Sequence, residues 1–144
     1  GVLETVKKLG WAPDIVHCND WMTSLIPLYL KTAYKNDPIF QNSKSIFSVY
    51  NNRFDHKFDK NIVEKATMID IEDGMLDGLS SADYDGFINV GMQYADVVVH
   101  ADNFEDADLQ GLIDSQDKKV GKIAADEGDE AIENYYELYT DLIK

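Results

Sequence analysis

The residues best able to do chemistry stand at the ends of short β-branched runs. The first run, Asp14 to Cys18 (DIVHC), is followed by Asn19, Asp20 and Trp21. Asp20 follows a strand and opens a helix, where the unpaired amides and the helix dipole favour an anion. It reads equally as a plain helix cap and as a group offered to a ligand, and one side chain can do both. Trp21, between sheet and helix, reads first as core. His17, inside the apolar strand, reads as a hydrogen-bonded core histidine sooner than as a catalytic base. The second run, Ser45 to Tyr50 (SIFSVY), leads into Asn51 and Arg53, the one arginine of the chain. A tyrosine at that point donates or accepts a hydrogen bond but gains no positive charge near neutral pH. The third, Asp96 to Ala101 (DVVVHA), carries His100 and leads to Asn103.

Two other constellations compete for a role. Asp106 to Asp117 (DADLQGLIDSQD) fits several positions of a calcium-binding loop. It ends on Asp where the longer Glu is usual, and Lys118 to Ala124 after it reads as a strand, so the expectation is an acidic helix ending at Gly111 and no metal site. Ile132, Tyr135, Tyr136, Tyr139, Leu142 and Ile143 recur at helical spacing, with Asp129 as the cap. Three tyrosines on one helix could form a sugar-stacking platform, but that spacing is first of all the mark of core packing.

These residues must be positioned by a parallel sheet. The first three runs are almost continuously apolar, as suits strands covered on both faces, and Lys119 to Ala124 supplies a fourth. Helical spacing fills the gaps: Val2, Val6 and Leu9; Trp21, Leu25, Leu28 and Tyr29; Phe87, Ile88, Gly91 and Tyr94. Asn61 with Glu64 resembles a capping box that starts a short helix. Asp70 to Asp85 shows no sustained period and reads as a long loop, a lid or a mobile insertion. Alternation of this kind implies right-handed crossovers and an α/β fold of about four parallel strands flanked by helices.

Composition narrows the classes further. Thirteen basic against 27 acidic residues leave a formal charge of −14, which opposes contact with phosphate backbones and argues against nucleic acid as a partner. No apolar stretch approaches the length that spans a bilayer, so no membrane partner is expected. The single cysteine, Cys18, cannot close an internal disulfide, which points to the cytoplasm. The first run lacks a following glycine loop for phosphate, which removes a flavodoxin-like carrier from consideration.

In Pro13 to Leu30 (PDIVHCNDWMTSLIPLYL) the chain resembles bacterial glycogen synthases and plant starch synthases, where a motif H-x-H-D-W follows a strand. His17, Asp20, Trp21, Leu25, Pro27, Tyr29 and Leu30 match; Asn19 replaces the second histidine. Lys44 to Asn51 (KSIFSVYN) is similar to the family's strand ending T-[IV]-H-N, with Tyr50 in place of the histidine. Phe87 to Ala101 and Leu109 to Ile123 follow in the family's order. The resemblance implies one half of the N-terminal Rossmann-like domain of a two-domain GT-B enzyme, so residues 1–144 are expected to be a single fragment of it, with the remainder of the synthase as a partner.

The activity so implied is transfer of glucose from ADP-glucose or UDP-glucose to the 4-hydroxyl of an α-1,4-glucan, with retained configuration, no metal and no cofactor. Asp20 and Tyr50 are the candidate catalytic residues, and Asn19, Trp21 and Asn51 the candidate substrate-binding ones. Loops at His17 to Trp21, Tyr50 to Arg53 and His100 to Asn103 are expected to face one cleft. Asn19 and Tyr50 depart from the family where phosphate is held, unless Tyr50, His56 or His100 has taken over that role. They open the alternative of a non-catalytic, degenerate glucan- or partner-binding module. The family's K-x-G-G-L loop and second domain do not occur in these 144 residues, so the chain alone is expected to be inactive, and its free sheet edge is expected to favour self-association.

Overall fold

The computed structural model describes residues 1–59, 61–101, 105–123 and 128–144. Its centre is a four-stranded parallel sheet in the order β1-β2-β3-β4, formed by Ile15–Asn19, Lys44–Val49, Val97–Ala101 and Lys119–Ile123. The strands follow the expected apolar runs to within a residue at each end. β2 and β3 are the most deeply buried, since both have strand neighbours and helices on both faces.

One face is covered by α2 (Leu25–Lys31), α4 (Tyr84–Tyr94) and α5 (Ala107–Asp114); the other by α6 (Asp129–Leu142). On the first face Cys18, Phe47, Val49 and Val98 pack with Ile88, Met92, Leu109 and Ile113. On the second, Ile46, Val97, Val99 and Ile123 meet Ala131 and Leu138. This alternation along β2 and β3 is the two-residue period of a strand sandwiched between layers. α1 (Val2–Leu9) packs Leu3 with Leu30, Tyr34 and Phe40 beside β1. Gly91 lets α4 approach the sheet: a Cβ there would stand 2.5 Å from Cζ of Phe47. That glycine sets the distance between helix and strand.

Several expectations are corrected. Asp70 to Asp85 is no open loop: Leu76, Leu79 and Ala82 are buried, a 3-10 helix spans Asp77–Ser81, and α4 already begins at Tyr84. Burial of these apolar side chains orders the segment although they show no period. The short helix α3 (Ile62–Ala66) forms without a capping box, because Asn61 has helical backbone angles and makes no side-chain cap; Asp59 instead accepts from the Asn61 amide at 2.9 Å. Asp106–Asp117 forms the expected acidic helix, with a later end. Asp106 caps α5, its carboxylate accepting from the Leu109 amide at 3.0 Å, and the helix continues past Gly111 to Asp114. Among the described residues no group of acidic, histidine or cysteine side chains is arranged to hold a metal.

α6 is the largest revision. Its cap position is Gly128, and Asp129 is its first residue. The buried face is set by Ala131 and Leu138, with Tyr135, Tyr139 and Leu142 packed against them, whereas Ile132, Tyr136 and Ile143 are exposed. The helix is therefore rotated relative to the expected apolar stripe, and one of its three tyrosines faces solvent.

Candidate functional site

Asp20 stands just past the carboxyl end of β1 with φ 60° and ψ −179°. This is backbone that residues other than glycine almost never adopt, at a cost of about 1–3 kcal/mol, and it persists only where surroundings enforce it. The amide of Asp20 donates to the Ser48 carbonyl at 2.9 Å, extending the β1–β2 ladder by one bond. Its carbonyl accepts from the Thr23 amide and hydroxyl, both at 3.1 Å. Pinned on both sides, the residue turns its side chain away from the 3-10 helix Trp21–Thr23. The expected capping bond is absent.

The carboxylate instead accepts from Asn52 Nδ2 at 2.9 Å and from the Tyr84 hydroxyl at 3.3 Å. The residue is only 6% exposed, and among the described residues no cation is ion-paired with it. Buried carboxylates are ordinarily paired or neutralised; Asp20 has neutral donors alone. The single Tyr84 proton is shared with the Tyr50 carbonyl, which lies nearer to it than Asp20 does, and burial followed by the charge of Asp20 raises its pKa above the usual phenol value. Asn52 and Tyr84 lie 32 and 64 residues from Asp20, so no local spacing in the sequence marks them.

Tyr50 is 41% exposed at the end of β2, and its hydroxyl donates to Asn19 Oδ1 at 3.2 Å. Partial burial and then the neighbouring Tyr135 push its pKa up to about 12, so it remains a neutral phenol at every physiological pH. Asn51 is exposed, and it is Asn52, not Asn51, that reaches Asp20. Trp21 is half-buried against Phe54, Phe58 and Phe87, with centroid distances of 4.9, 5.7 and 5.9 Å. His17 lies among bonded partners, Nδ1 at 2.6 Å from the Tyr139 hydroxyl and Nε2 at 2.7 Å from Ser48 Oγ. Burial lowers its pKa, which keeps it neutral.

The loops after β1 and β2 therefore meet through the Asn19–Tyr50 and Asp20–Asn52 contacts. Of the third expected loop only the start is described. His100 is buried, with Nδ1 at 2.8 Å from the Ala101 carbonyl, and Asn103 lies outside the described residues. His56 is exposed and stacks on Phe54 at 4.5 Å. Arg53 ties the region together: its guanidinium bonds Asp85 at 2.7 Å and Asp106 at 3.4 Å while lying 5.3 Å from the Tyr84 ring centre. It thereby links the loop after β2 to the starts of α4 and α5. Its charge is already engaged by carboxylates.

Asp20 stands at the carboxyl ends of parallel strands, the end at which open α/β sheets bind ligands. Comparison with known proteins places this end of the sheet in a family. Residues 1–104 match the starch synthase catalytic domain. The chain belongs to that family. Curated relatives include a glycogen synthase of Desulforudis audaxviator, 37% identical over 67% of this chain and 19% of its own length. The glycogen synthase of Chlorobium chlorochromatii is 61% identical over 35% of this chain and 10% of its own. That of Clostridium perfringens is 41% identical over 49% and 15%. The chain thus spans no more than about a fifth of these relatives. Asp20, Trp21, Tyr50, Asn52 and Tyr84 all fall within the part that matches the family; α5, β4 and α6 do not. Among the described residues no helix is long and apolar enough to cross a membrane.

Proposed function

We propose that this chain forms part of the catalytic domain of a glucosyltransferase that moves glucose from a nucleotide-glucose to an α-1,4-glucan. In this reading it is the second half of the N-terminal domain and works with the remainder of the synthase, in the cytoplasm, where a free buried Cys18 is at home. The observation that carries the reading is Asp20: a carboxylate in glycine-only backbone, buried and, among the described residues, hydrogen-bonded by neutral groups alone. Such a group accepts strongly from sugar hydroxyls without first breaking an ion pair. Tyr50 and Asn19 offer hydroxyl and amide contacts beside it, Trp21 holds the turn against the core, and Asn51 is exposed on the same loop as Asn52.

The diphosphate of a donor calls for cations. Arg53 is committed to Asp85 and Asp106, the net charge is −14, and each charge-assisted contact forgone is worth about 1.5–3 kcal/mol. The 144-residue chain alone is therefore expected neither to bind ADP-glucose below millimolar concentration nor to transfer glucose to glycogen. Isothermal titration and incorporation of radiolabelled glucose test this; micromolar donor affinity or labelled glycogen would overturn it.

A second reading, a binding module without catalysis, is favoured by Tyr50 itself, which supplies no positive charge at the position where the family keeps a histidine. It predicts maltooligosaccharide binding with no transfer even when the rest of a synthase is supplied. β1 is an edge of the sheet, and Trp11 just before it is exposed. Association through that edge should appear as a concentration-dependent mass in sedimentation equilibrium, and a strictly monomeric profile would remove it.

A further inference from the structure

Main-chain bonds fix where Asp20 stands, but not how its carboxylate is turned. The amide of Asp20 donates to the Ser48 carbonyl and its own carbonyl accepts from Thr23, so the backbone is held on both sides. The carboxylate lies beyond two rotatable bonds that these contacts leave free. Its oxygens have separate partners: Oδ2 accepts from Asn52 Nδ2 at 2.9 Å, and Oδ1 lies 3.3 Å from the Tyr84 hydroxyl. The second contact is the weaker, because hydroxyl donors ordinarily sit within about 3.0 Å and the Tyr84 proton is shared with the nearer Tyr50 carbonyl. Asn52 is thus the main restraint on the direction of the acid.

Asn52 is itself exposed, on a loop anchored on either side of it. Two residues earlier, the Tyr50 carbonyl is held by Tyr84, the first residue of α4 and only 1% exposed. One residue later, the Arg53 guanidinium reaches Asp85 at 2.7 Å and Asp106 at 3.4 Å, at the starts of α4 and α5. An amide open to water gains little stability from the carboxylate, since water would serve as its acceptor. Stability therefore does not explain why an anchored loop presents this donor to a buried acid; orientation of the acid does.

We propose that Asn52 is a positioning residue for Asp20: its amide holds one carboxylate oxygen so that the acid keeps its remaining acceptor sites turned to a sugar. An ionised carboxylate has about four such sites, and Asn52 and Tyr84 occupy one on each oxygen. The site left on each oxygen suits a pair of neighbouring hydroxyls on a glucose unit. The inference rests on the glucan-binding reading of Asp20, and Asn52 acts through that residue.

The test is a titration of the full chain with maltoheptaose, combined with ¹³C carboxyl NMR of the aspartates. Asn52→Ala should weaken affinity roughly tenfold, the loss of one oriented contact, with a thermal midpoint within about 3 °C of wild type. Asn52→Asp, the same size but without the donor, should bind more weakly than Asn52→Ala because it sets a second carboxylate against Asp20; a residue that merely shaped the loop would give the opposite order. Without sugar, the Asp20 carboxyl signal should move in Asn52→Ala while that of Asp96 holds. If Asn52→Ala binds as wild type does, if Asn52→Asp binds better than Asn52→Ala, or if the Asp20 signal stays still, this inference falls and the Asp20 reading survives. If wild type shows no binding up to about 50 mM probe, both fall. The wild-type Asn52 side-chain amide should also shift on saturation with sugar, and a still signal overturns the inference even where a variant folds poorly.

Discussion

Two aspartates, Asp20 buried and Asp96 partly buried, sit at opposite ends of the same sheet, and they are bonded in different ways. At the amino ends of β2 and β3, Asp96 accepts from the Ser45 amide at 2.7 Å, the Ser45 hydroxyl at 2.9 Å and Lys31 Nζ at 2.6 Å. Burial alone would raise its pKa, but Lys31 and Ser45 outweigh burial and hold it below the ordinary carboxylate range. At the carboxyl ends, Asp20 has strained backbone, the Asn52 amide as donor and a share of the Tyr84 hydroxyl proton. Asp96 spends its charge on strand and helix. Asp20 has no ion pair among the described residues, and for that reason it is the one we propose to meet a ligand.

Removing each acid should separate these roles. Asp96→Ala leaves a buried Ser45 amide without its acceptor and frees Lys31, and should cost about 2–4 kcal/mol in urea unfolding. Asp20→Gly should cost no more than about 1 kcal/mol and can even stabilise, because glycine accepts the backbone without strain. Asn52 is exposed to water, and Tyr84 still donates to the Tyr50 carbonyl. Asp20→Ala keeps the strain and should be less stable than Asp20→Gly by about 1–2 kcal/mol. Equal stabilities of the glycine and alanine variants would remove the argument from strain.

Acid should act on the two ends in different pH windows. Burial lowers the pKa of His17, so on acidification the unfolded chain takes up that proton first. The stability tied to neutral His17 is whole above about pH 6.5 and drains away as pH falls through its lower native value. For Asp96, also lowered, stability is whole above about pH 4 and is lost as pH falls below that. His17→Gln should flatten the stability profile just below about pH 6.5 and leave the steeper acid limb in place. Unchanged curvature just below about pH 6.5 would show that His17 is not held neutral. The smallest effect is expected at Arg53, whose ion pairs with Asp85 and Asp106 are partly solvated. Arg53→Lys should cost about 0.5–1 kcal/mol, and less in molar salt.

The sheet was legible because β2 and β3 are buried on both faces and read as unbroken apolar runs, and Asp20, Asn19 and Tyr50 were legible because each ends such a run. What the sequence hid has a common cause: it depends on partners distant along the chain. Asn52 and Tyr84 are joined to Asp20 only by the meeting of loop and helix. The strain at Asp20 follows from ladder bonds on one side and a tight turn on the other. The face of α6 was misjudged because its tyrosines fit two neighbouring stripes equally well, and only the small Ala131, close against β3 and β4, decides between them.

The most direct test of the account is a backbone amide NMR titration of the chain with maltoheptaose. Shifts should gather at Asn19 to Thr23, at Tyr50 to Arg53 and at Tyr84, be abolished in Asp20→Gly, and be absent around Ser45 and Asp96. Shifts centred on Ser45 and Asp96, or an Asp20→Gly variant that binds as wild type does, would contradict the claim that the carboxyl end of the sheet and its strained aspartate form the sugar site.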